Sequence, residues 1–72
     1  MTMVVKMDVF EIGDVYIDFP FERAKFRFDK ATHKVYLRFY GEREDEVPWS
    51  HELFREAILS GMQITREDYY SD

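Results

Sequence analysis

Ala24–Gly41 reads AKFRFDKATHKVYLRFYG, two runs of strict alternation on either side of a bend. Phe26 and Phe28 share one parity in the first run, and Val35, Leu37 and Phe39 share one in the second. The opposite parity carries Lys25, Arg27, Lys34, Tyr36, Arg38 and Tyr40. Successive side chains of a strand point to opposite sides of a sheet. The stretch therefore predicts a β-hairpin with one apolar face and one basic-aromatic face. Within its bend, Asp29 can accept backbone N–H groups two residues on. His33 occupies the position that needs a positive φ in bulged hairpin loops, and histidine is enriched there among non-glycine residues.

Upstream, Val4 to Ile12 is expected to form a first strand. Val5, Met7 and Val9 alternate with Lys6 and Asp8, then Phe10 and Ile12 continue on the other parity. Such a shift marks a bulge or a change of face. Gly13-Asp14 is a turn signal. Val15, Ile17 and Phe19 then predict a second strand, antiparallel to the first, that ends or lies on an edge at Pro20.

Downstream, Glu42-Arg43-Glu44-Asp45-Glu46 reads as a solvated connector or a short edge strand guarded by its charge. Ser50 is the expected N-cap of a helix, with Glu52 in the first turn. Leu53, Phe54, Ala57 and Ile58 form the apolar stripe of that helix, and Trp49 extends it. Gly61 is expected to end it in the left-handed region. Met62 and Ile64 alternate with Gln63 and Thr65, which suggests a short extended return. Thr65 then caps a single helical turn through Tyr70. Tyr69 and Tyr70 are expected to cover the core edge or to stay open to a partner.

The expected architecture is α+β: about four antiparallel strands in a meander-like sheet, with one C-terminal helix packed on one face. Residues 1–72 form a single small domain on this reading. The basic-aromatic face of the hairpin is left open, unless the first strands or a second copy of the chain cover it.

From Phe28 onward the order of features resembles the KTSC-type domain, a small module found alone and at the C-terminus of some lysyl-tRNA synthetases. The shared residues are Phe28-Asp29 before the bend, Val35, Leu37 and Phe39 in the next strand, and Val47-Pro48 entering the helix. Ala57 and Ser60-Gly61 at the helix end, then Ile64 and a following tyrosine, continue the match. The resemblance implies a noncatalytic module with a role near RNA.

Composition narrows the functional classes. There is no cysteine, which excludes disulfides and cysteine zinc sites and suits a reducing, cytoplasmic setting. No apolar run reaches the roughly 18 residues of a membrane span. The net charge of −5 is unevenly spread: −4 over residues 1–22, +5 over 23–40 and −6 over 41–72. Overall acidity opposes nonspecific attraction to nucleic acid. No phosphate loop, paired histidines or nucleophile beside a base is present, so no catalytic, cofactor or metal residue is assigned and the chain is not read as an enzyme.

Two binding roles remain. The first is a noncatalytic protein-interaction module of accessory, adaptor or inhibitor type that meets a macromolecular partner or a second copy of itself. It would use Lys25, Arg27, Lys34, Tyr36, Arg38 and Tyr40. The second is a single-stranded nucleic-acid module on the same six residues, with tyrosines stacking bases and cations meeting phosphates. The plain alternative is that these cations pair across strands with nearby acids.

Overall fold

The computed structural model describes residues 7–71. Its sheet has five antiparallel strands: β1 (Val15–Phe19), β2 (Ala24–Asp29), β3 (Lys34–Phe39), β4 (Glu44–Val47) and β5 (Met62–Ile64). They lie in the order β4-β3-β2-β1-β5. Two helices complete the fold, α1 (Glu52–Ser60) and α2 (Arg66–Tyr70).

The hairpin forms as its alternation requires. Phe26 lies opposite Leu37 and Phe28 opposite Val35, while β1 sets Ile17 against Phe26 and Val15 against Phe28. These side chains form one buried layer, and Phe54 and Ala57 of α1 close it from above. Phe54 has no exposed surface, and its ring lies 5.4 Å from that of Phe26. Burying a side chain of this size contributes about 2–3 kcal/mol. Phe39 sits at the end of the layer and stays 39% exposed.

The bend follows its residue types. Asp29 accepts the Ala31 N–H at 2.9 Å, and His33 has φ 60°. Trp49 extends the helical stripe toward this end. Its ring meets Phe10, Phe28 and Phe54, and its indole N–H donates to the His33 carbonyl at 3.1 Å.

The expectation of a first strand over Val4–Ile12 does not hold. Residues 4–6 lie outside the described residues, and Met7–Glu11 is a 3-10 turn. The parity shift falls inside this turn and marks neither a bulge nor a change of face within a strand. The turn aims Phe10 inward, where its ring lies 5.2 Å from Phe28. β5 takes the place beside β1 instead, pairing Met62 with Asp18 and Ile64 with Tyr16. β1 is thus an inner strand, and Pro20 ends it by opening a short 3-10 turn, Pro20–Glu22.

The sheet therefore has five strands rather than about four, and two helices rather than one. The acidic run becomes the edge strand β4, where charge discourages pairing with other chains. α1 is capped by His51, whose Nδ1 accepts the Leu53 N–H at 3.2 Å, one residue beyond the expected Ser50. Gly61 is extended, with φ −83° and ψ −174°, not left-handed. A Cβ there would stand 2.5 Å from the Ala57 carbonyl oxygen and 2.9 Å from that of Asp18. Glycine is needed because the chain runs against β1 as it leaves α1.

Candidate partner-binding surface

The hairpin's second face is not open. α2 lies across it, entered through Thr65, whose hydroxyl accepts the Asp68 N–H at 3.1 Å. The helix drives Tyr69 onto β1 and β2, where it is fully buried and its ring lies 5.5 Å from Tyr16. Tyr70 stays about half exposed, edge-on to Tyr69. The two tyrosines divide the roles that the sequence reading left open.

The six predicted contact residues occupy this face, and the structure gives each a definite place. Lys25 is buried, with 8% of its surface exposed. Its ammonium donates to the carbonyls of Asp68 (2.6 Å) and Ser71 (2.5 Å), at the C-terminal end of α2. Helix ends leave carbonyls without partners and carry negative partial charge, so a cation there satisfies both. The Arg38 guanidinium donates to the Tyr69 carbonyl at 3.1 Å. The Tyr40 hydroxyl meets Asp18 at 2.5 Å. Three members of the set thus hold the sheet to itself or to α2.

Arg27 is the centre of the face. Its guanidinium donates to both oxygens of Glu44, at 3.1 and 2.7 Å, in the fork geometry that makes such pairs strong. It lies over the Tyr36 ring at 4.1 Å, within cation–π range. Glu44 Oε1 also accepts the Tyr69 hydroxyl at 2.8 Å. The hydrogen bond from Arg27 holds the Glu44 carboxyl below the usual carboxylate range, against the opposing pull of burial. The same bond pushes the Arg27 pKa up. Burial first, then the bond to Glu44, raises the Tyr69 hydroxyl pKa well above the ordinary tyrosine value.

Lys34 is the exposed member of the six. Lys34 approaches Glu46 at 3.7 Å, with about half of each side chain exposed. Cross-strand register sets Tyr36 opposite both Arg27 and Glu46. Charge that counted as a basic patch in the sequence is therefore largely matched by β4 acids and helix carbonyls. Among the described residues, every buried side-chain nitrogen and oxygen has a hydrogen-bond partner, and no group of acids and histidines could hold a metal ion.

Sequence reasoning missed two things here: where α2 docks, and the Arg27–Glu44–Tyr69 network. One signal was available. The tight reversal at Gly41 returns the acidic run alongside β3, so Glu44 had to fall opposite Arg38 on the basic face.

Comparison with known proteins adds the family to this geometry. The Tis1 immunity protein family model matches residues 2–72. This chain belongs to the Tis1 immunity protein family. The immune protein Tis1 of Pseudomonas aeruginosa (strain UCBPP-PA14) is 40% identical over 68 residues, covering 92% of this chain and 88% of that protein. Among solved structures, the fold matches a chain of the crystal structure of the complex between the type VI effector Tas1 and its immunity protein. The TM-score is 0.85 at 38% identity, covering 92% of this chain and 90% of the other. Membership in the Tis1 family overturns the KTSC-type resemblance. The shared alternating aliphatic positions are what a hairpin demands, and Gly61 answers to its close approach to β1.

Proposed function

We propose that this chain is a noncatalytic immunity protein that binds a type VI effector of the Tas1 kind and neutralises it in a stoichiometric complex. The observation that carries this reading is the match, at 38% identity and TM-score 0.85, to a chain of the Tas1 complex. The geometry supports binding over chemistry. Preorganised interfaces bind with little backbone change, and this fold fixes both sheet faces with helices and matched charges. Cytoplasmic residence, expected from the lack of cysteine, belongs to the same proposal.

The single-stranded nucleic-acid reading loses its main support. Lys25, Arg27 and Arg38 would have to leave helix carbonyls and Glu44 to reach phosphates. A homodimer through this face would have to displace α2 from Lys25 and Arg38.

The test is to mix the purified chain with purified Tas1 and with homologous Tas1-type effectors, and to follow size-exclusion chromatography with light scattering. A one-to-one complex with at least one of them, and rescue of growth when both are co-expressed, is expected. Absence of a complex with every effector at micromolar concentrations overturns the reading.

A further inference from the structure

Phe21 is the most exposed large apolar side chain among the described residues, at 87%. The turn that carries it is unusually well held. Pro20 opens the turn with its fixed φ. Arg23 closes it in the left-handed region, φ 53° and ψ 47°, with its N–H on the Pro20 carbonyl at 3.0 Å. The Arg23 carbonyl in turn accepts the Tyr40 N–H at 2.9 Å. A non-glycine residue in this region stores strain that the surroundings must sustain. The ring of Phe19, itself buried, supports Phe21 at 6.1 Å.

Other apolar groups converge on the same end of the molecule. A shallow apolar depression there is lined by Pro20, Phe21, Ser60 and Met62. Register sets Phe39 in one row with Ala24 and Phe19, and Gly61 touches β1 at Ile17 and Asp18, which brings the end of α1 to this side. Glu22, Arg23, Glu42 and Arg43 lie exposed in the turns at this end. An apolar centre with a charged rim is the anatomy of a protein interface.

We infer that the effector docks on this end, taking the Phe21 ring into an apolar pocket of its own. Area favours a protein partner. With about 200 Å² for a whole phenylalanine side chain, Phe21 and Phe39 offer roughly 250 Å² of aromatic surface. That is near a third of the roughly 800 Å² each partner gives to a standard interface. A rigid turn suits an anchor, because its ordering is complete before association. The inference rests on the proposed effector binding and goes further by naming the anchor.

The test uses a Tas1-type effector that the wild-type chain has been shown to bind, with affinity measured by calorimetric titration. Phe21→Ala should weaken binding by about 30-fold or more, as hot-spot truncations do. Met62→Ala should weaken it less, and Phe21→Trp should retain most of it. Thermal melts of Phe21→Ala should match the wild type, since the ring is exposed. Ile12→Ala, an exposed apolar residue before the opposite end of β1, should change affinity less than about threefold. Equal affinity of Phe21→Ala and wild type overturns the inference and leaves effector binding standing. Sedimentation showing that the free chain pairs with itself through Phe21 also overturns it. If no effector binds the wild type, the underlying functional reading fails instead.

Discussion

Replacing Tyr69 probes the claim that the second sheet face is closed from within. Its side chain has no exposed surface, and its hydroxyl reaches a carboxylate that Arg27 already holds through two bonds. In Tyr69→Phe the ring stays and one hydrogen bond to a charged acceptor is lost. Such bonds contribute about 1.5–3 kcal/mol. Glu44 keeps the guanidinium and 29% of its side-chain surface in water, so it is not orphaned. The lower end, about 1.5 kcal/mol, is therefore expected. Tyr69→Ala also removes the ring and should cost about 3–5 kcal/mol, as for other large aromatics. A chain of 72 residues has a total stability of roughly 4–11 kcal/mol, so the alanine variant should be partly unfolded at ordinary temperature. Urea denaturation followed by tryptophan fluorescence and circular dichroism provides the assay. Each 1 kcal/mol should also lower Tm by roughly 4–8 °C. If both variants unfold within about 0.5 kcal/mol of the wild type, α2 does not cover the sheet, and the closed-face account is wrong.

Two further outcomes test neighbouring claims. Gly61→Ala should destabilise by about 2–3 kcal/mol, because backbone atoms on two sides must shift. Gly61→Asn should be at least as harmful, whereas a left-handed cap would accept asparagine; comparing their urea midpoints separates the two accounts. Glu44 has a depressed pKa in the folded chain, so its contribution is complete above the unfolded value of about 4.3. That contribution fades as pH falls through the lower folded value. Stability measured from pH 7 to pH 2 should therefore drop more steeply for the wild type than for Glu44→Gln, and parallel curves would remove Glu44 from the acid response.

The hairpin was legible because its two periodicities and its bend are local. Phe26, Phe28, Val35 and Leu37 turn inward as alternation demands, and His33 takes the positive φ expected of it. α1 and the cap at Thr65 were legible for the same reason. The Met7–Glu11 turn was not, because apolar residues alternate there without a neighbouring strand to pair with. Gly61 was assigned the wrong purpose, since handedness is a local property and close approach to β1 is not. The six hairpin side chains were grouped on the correct face. What they face depends on α2, roughly forty residues away in sequence, and no local pattern reports that distance. The exposure of Phe21 was not legible either, because nothing in its neighbours announces a ring left in water.

Glu44 joins three segments that lie far apart along the chain. Through Arg27 it fastens the outermost strand to the middle of the sheet, and through the Tyr69 hydroxyl it fastens the last helix to that strand. One carboxylate thus serves as the clasp for two peripheral pieces. Release of the terminal helix would slacken the acidic border as well, so the rim of this small fold opens as a unit instead of fraying one element at a time.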